Sequence, residues 1–241
     1  FALATGNSPG NDMRFSDEKI ESARNFTNKI WNAARFVLMN VDGKKIPAIT
    51  DVKLAPADKW IISKLQSCIR EVTTNLNKYE LGVASDLATG FVWDDFCDWY
   101  IELSKPALYG EDEQRKADTL AVLCFVLENA LKLLHPFIPF VTEEIYANLP
   151  NAQGSIMVSD FPRYDAKLAY KKEAKAFEGV MEIIKAVRAM KKDADCPPSK
   201  KVELNIVTNS KRLIQLNKDC IMKLSGASTL NFVDGASEVD G

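Results

Sequence analysis

In the stretch RNFTNKIWNAARF, Arg24, Asn28, Trp31 and Arg35 recur at three- and four-residue steps. A helix over these residues sets all four on one line, away from an apolar stripe. They combine two planar guanidiniums that hold phosphates, an amide that donates and accepts, and an indole plane that stacks. Such groups suit a single-stranded RNA loop, although the same residues also suit packing against another helix. A second constellation is DDFCD, where Asp94, Asp95 and Asp98 fall within about one helical turn, with Glu102 close by. Carboxylates clustered this way either hold a hard cation or form a solvated acidic face. The third is Arg188, Lys191, Lys192, Lys200 and Lys201 around DADCPPS, read as a solvated helix end or as a grip on a phosphate backbone.

Other chemistries have little to work with. His135, in HPFIPF, is the one histidine of the chain, which leaves little for a His-based triad or a multi-His metal site; before a proline it reads as a cap or a core hydrogen-bond partner. The loop ATGNSPGND matches neither GxxxxGK[ST] nor the strand–GxGxxG–helix spacing of phosphate cradles, and reads as a turn. Five cysteines without a CxxC pair argue for a reducing compartment and against a disulfide framework or zinc site. A net charge of −2 means that an anionic partner must be held by local patches. No apolar run approaches the roughly 20 residues of a membrane span, and no signal peptide opens the chain, so a cytoplasmic protein is expected. The opening FALATG, without an initiator methionine, reads as a piece cut from a longer protein.

The elements that must position these groups follow from periodicity. Ser16 before Asp17 and Glu18 starts a helix whose buried stripe is Ala23, Phe26, Ile30, Ala33 and Val37. Pro56 opens a second, with Ile61, Leu65, Cys68, Val72, Leu76 and Tyr79 inward. A third runs from Gly82 to about Leu103, ending before Lys105-Pro106. A fourth starts near Glu113, is interrupted at His135-Pro136, and resumes briefly as FVTEEIYANL. Four long amphipathic helices make an antiparallel bundle over 16–150. Residues 151–168 read as a linker. Residues 169–241 form a small α+β module of two helices and two strands: a helix from Tyr170 to Lys192 with Phe177, Val180, Ile184, Val187 and Met190 on one side, strand VELNIV, a helix ended by Gly226, and strand STLNFV. The fold class is mainly α.

Taken in order, SPGNDMRF, RNFTNKIWNAARFVL, DKWIISKL, FVWDDFCDWYIELSKP, LLHPFIPFVTEEIY and PPSKK resemble the C-terminal part of bacterial-type valyl-tRNA synthetases over essentially the whole chain. The resemblance implies a helical-bundle anticodon-binding domain, with 1–15 as a stem-contact or connecting segment. It implies a parent enzyme that joins valine to tRNA(Val) with ATP and Mg2+, in catalytic, editing and coiled-coil domains outside this sequence. The signatures HIGH and KMSKS are absent, so this fragment is expected to have no catalytic residue, metal or cofactor of its own. It is expected to be a monomer that binds the anticodon arm. The resemblance also points to Phe26 and Phe91 as contacts with anticodon bases, whereas periodicity sets Phe26 on the core stripe. The DDxxD at 94–98 separately resembles the magnesium-diphosphate site of prenyl-transferring enzymes, which gives an alternative reading; a non-catalytic interaction bundle is the third.

Overall fold

Ser16 caps the first helix as expected: its hydroxyl accepts from the Lys19 N–H, and helix α1 (Asp17–Val41) follows with Asp17 and Glu18 in its positive first turn. The structure, a computed structural model, describes residues 1, 2, 5, 16–197 and 199–234, so most of the expected connecting segment 1–15 lies outside it. The described chain divides into two units, Phe1–Tyr170 and Lys171–Gly241.

In the first unit, α1 buries Phe26, Ile30, Ala33 and Val37 of the expected stripe, and Ala23, a turn nearer the helix start, is half-buried. Helix α2 (Pro56–Asn77) starts at its proline and buries Ile61, Leu65, Cys68 and Val72. Tyr79 departs from the expected stripe because it lies past the helix end and is 84% exposed. The third helix differs more. It comprises α3 (Leu81–Gly90), a π-helical segment (Phe91–Tyr100) and α4 (Ile101–Leu108), and it runs through Pro106 rather than stopping before it. Proline lacks only the N–H that would reach back to Glu102, and one missing bond in a last turn does not end a helix whose Ile101, Leu103 and Leu108 are buried. In the π segment the Ile101 N–H bonds the Phe96 carbonyl five residues back, so residues five apart lie above one another. Helix α5 (Glu113–Leu134), capped by Asp112, and the short α6 (Pro139–Ala147) complete the bundle. His135 closes the turn between them, its Nδ1 2.8 Å from the buried Thr142 hydroxyl.

One buried network ties three of these elements. Asp58 is 1% exposed and accepts from the Tyr100 hydroxyl (2.7 Å), the Arg115 guanidinium (2.7 Å) and the Ala55 N–H (2.8 Å). Three donors on one carboxylate make its burial tolerable.

The segment read as a linker is fastened to the bundle. Asp165 N–H donates to Gln66 Oε1 at 2.7 Å, the Ser155 hydroxyl donates to Glu143, and Arg70 sits over the Tyr164 ring. The Gln66 partner is buried and 99 residues away along the chain, which is why turn-rich composition alone suggested a free connection.

In the second unit α7 (Lys171–Asp193) buries Phe177, Val180, Ile184 and Val187, whereas Met190 is 69% exposed near the helix end. Strands β1 (Val202–Ile206) and β2 (Ala227–Phe232) pair parallel, Leu204 opposite Leu230. A parallel pair needs a crossover, and here it consists of two short helices, α8 (Lys211–Leu216) and α9 (Lys218–Ser225), where one had been expected. Gly226, at φ 70°, ends α9. No helix among the described residues is long and apolar enough to cross a membrane.

Candidate nucleic-acid interface

Helix α1 turns its two faces as its sequence demands. Arg24, Asn28, Trp31 and Arg35 are all exposed, and the opposite stripe is sealed in the core. Arg24 and Arg35 are eleven residues apart, about 16 Å along a helix at 1.5 Å per residue. Arg24 lies 3.8 Å from Glu21, an exposed pair too weak to immobilise it. Trp31, 44% exposed, and Arg35 border a groove of about 410 Å³ with Leu38, Met39 and Glu144. Cationic, amide and aromatic groups thus lie in solvent along one helix edge.

Phe26 and Phe91 are placed otherwise. They are 3% and 5% exposed, so neither offers a ring face at the surface. Phe26 is stacked between Phe1 (centroids 5.1 Å apart) and Trp93 (6.3 Å). Periodicity described Phe26 better than the resemblance did, because the stripe position decides which side faces the core.

The carboxylates of DDFCD do not converge. Asp98 takes the Lys29 ammonium at 2.6 Å, Asp95 faces Lys64 at 3.5 Å on a different helix, and Asp94 is exposed. The π geometry explains part of this: Trp93 and Asp98, five apart, come above one another and share Lys29, whose ammonium also lies 3.6 Å from the Trp93 ring centroid. Among the described residues no group of three or more His, Cys, Asp or Glu is arranged to hold a metal ion. The magnesium-diphosphate alternative therefore loses its geometric basis.

In the second unit Arg188, Lys191 and Lys192 line a groove of about 640 Å³ together with Lys223, which the sequence reading missed. Arg188 Nε donates to the Leu224 carbonyl at 2.8 Å and Lys191 Nζ to the Lys200 carbonyl at 2.7 Å. Helices α7 and α9 both end here, and their terminal carbonyls favour cations. Lys223 was detectable in principle, as a lysine in the last turn of a helix ended by Gly226. Lys200 and Lys201 are exposed on the approach to β1 but do not line this groove. Asp195 does line it, so the groove is basic without being uniformly so.

A sequence profile for the anticodon-binding domain of tRNA ligases matches residues 58–206. The chain belongs to that family. The matched span begins at Asp58 of the buried network and ends at Ile206 of β1, so it takes in residues of both units. The chain is also 44% identical to a valine–tRNA ligase of Clostridium acetobutylicum over 99% of its own length, and 46% identical to that of Clostridium tetani over 99%. With the valine–tRNA ligase of Listeria innocua it shares 47% identity over 86% of the chain. The chain spans only 27% of the length of the two clostridial relatives. As an anticodon-binding domain, the fold carries its exposed Arg24-to-Arg35 edge on α1, upstream of the matched span, within the region shared with those relatives.

Proposed function

We propose that this chain is the part of a cytoplasmic valine–tRNA ligase that holds the anticodon arm of tRNA(Val). Its parent would join valine to that tRNA with ATP and Mg2+ in catalytic and editing domains beyond this sequence. The observation that carries the reading is the exposed line Arg24, Asn28, Trp31 and Arg35 in a chain that belongs to the anticodon-binding family and is 43–47% identical to valine–tRNA ligases. The task is positioning. Contacts far from the reacting bond orient the acceptor end of a bound tRNA. Guanidiniums on phosphates set the register, and Asn28 with Trp31 reads or stacks on loop bases. The basic groove of the second unit would add phosphate contacts, and the chain would act as a monomer.

The test is a filter-binding titration of the chain with valine tRNA and with a tRNA of different anticodon. Valine tRNA is expected to bind more tightly, and the triple substitution Arg24→Ala, Asn28→Ala, Arg35→Ala to remove the preference. Equal affinities for the two tRNAs, unchanged in the triple variant, would refute base reading by α1.

A further inference from the structure

We propose that Tyr79 is a stacking residue for an unpaired base of the bound RNA loop, a role that rests on the anticodon-arm reading above.

The last turn of α2 closes in a Schellman arrangement. The Tyr79 N–H bonds the Leu76 carbonyl (3.0 Å) and the Glu80 N–H reaches back to the Asn75 carbonyl (2.9 Å). That geometry puts Tyr79 in the left-handed region, at φ 62°, the position usually taken by glycine. Every other described residue with positive φ is a glycine or an aspartate: Gly43, Gly154, Gly226, Asp42 and Asp195. Aspartate tolerates this conformation through its short polar side chain, whereas a bulky tyrosine is strained in it. The fold gains little in exchange. The Tyr79 ring is 84% exposed, and Leu81 and Val83 beside it are 53% and 46% exposed. A strained residue that buries almost nothing points to a use outside the fold.

The topology says which use. Lys64 meets Asp95 and the Cys68 thiol donates to the Leu87 carbonyl, so α2 and the α3–α4 element run in opposite directions. Phe26 lies against Trp93 and Lys29 against Asp98, so α1 runs with the α3–α4 element, which returns along α2. Tyr79 therefore sits at the end of the bundle where α1 begins, the end toward which Arg24 lies on the exposed polar line. Lys78 is exposed next to it. An exposed aromatic face, flanked by apolar side chains and a cation, is the platform on which single-stranded nucleic acids stack without needing base-specific hydrogen bonds. The acids of this end, Asp17, Glu18 and Glu80, disfavour a phosphate track, so the contact is made by a base face.

The experiment uses the whole chain and an anticodon stem-loop hairpin of valine tRNA, with 2-aminopurine placed at each loop position in turn. Tyr79→Gly is expected to raise the melting temperature by a few degrees through relief of the left-handed tyrosine. It should also weaken hairpin binding on the order of tenfold and abolish the quenching of one loop 2-aminopurine. Tyr79→Phe should keep affinity and quenching. Wild-type affinity and quenching in Tyr79→Gly would overturn the assignment while leaving the anticodon-arm reading intact. So would a lowered melting temperature, which would show that the ring stabilises the fold. No binding of the hairpin by the wild-type chain would instead sink the anticodon-arm reading, and this assignment with it.

Discussion

The bundle sets three of its cations against aspartates across elements, whereas the module gathers four of its cations around two helix ends. In residues 1–170 there are 18 basic and 23 acidic side chains, in 171–241 there are 13 and 10, so the two units carry −5 and +3. Lys29, Lys64 and Arg115 each bond an aspartate on another element of the bundle. In the module Arg188 and Lys191 donate to main-chain carbonyls beside Lys192 and Lys223, while Lys185 and Lys211 pair with Glu182 and Asp234. A carbonyl orients a cation without neutralising it. The comparison teaches that an overall charge of −2 conceals a basic unit, and that a lysine's use depends on what terminates beside it.

The cores differ too. The bundle buries Trp60, Tyr100, Phe96 and a long run of Leu and Ile, while the module relies on Phe177 and a few aliphatics such as Ile184, Ile221 and Leu230. Phe177→Ala is therefore the largest expected single effect. A loss of about 3–5 kcal/mol should appear as faster hydrogen exchange of the α9 and β2 amides. Unchanged exchange would show that the module does not depend on this ring.

Next comes Arg115→Ala, which leaves the buried Asp58 carboxylate, among the described residues, the Tyr100 hydroxyl and the Ala55 N–H as donors. About 3 kcal/mol should be lost in urea unfolding followed by indole emission, a probe confined to the bundle because all four tryptophans lie before residue 100.

Alkali should separate the units further. Burial pushes the Cys68, Cys97 and Cys124 thiols of the bundle from 9.0 up to about 12, and burial together with Asp58 raises the Tyr100 hydroxyl well above 10. Folded values above unfolded ones mean that stability is complete below pH 9 and falls as pH rises from there toward 12. Each such group contributes up to about 1.4 kcal/mol per pH unit of loss. The module has one equivalent, Cys220. Cys124→Ala should flatten the bundle's decline between pH 9 and 11 by about one group's share, and an unchanged pH profile would contradict the burial argument.

Smaller still, Lys192→Ala with Lys223→Ala should reduce the slope of log affinity for tRNA against log salt by about 1 to 2, with no change in anticodon preference. An unaltered slope would remove the basic groove from the interface. Smallest is Lys64→Ala: its 3.5 Å pair with Asp95 is partly exposed, and a change of less than about 1 kcal/mol is expected.

Much of the bundle could be read from the chain. Helices α1, α2 and α5 announce themselves through Ser16, Pro56 and Asp112 at their starts and through apolar residues at helical spacing. The exposed edge of α1 was legible for the same reason, since once Ile30 and Val37 face inward, Arg24 and Arg35 cannot. The π segment was not legible: its altered register emerges only from how Phe96, Tyr100 and Lys29 meet their neighbours. Nor was the role of residues 151–168, which depends on Gln66. The basic groove was half legible, because α7's cations are adjacent in sequence and Lys223 joins them only when α9 ends alongside.

By itself, then, the order of residues determined which segments coil, where most of them start, and which side of α1 meets water, because those outcomes depend on neighbours three or four positions away. Only the tertiary structure decided that Phe91 is sealed, that Asp95 and Asp98 are drawn apart by two lysines, and that Tyr79 stands strained in solvent. Those outcomes depend on groups brought together from distant parts of the chain, and no local rule of spacing carries that information.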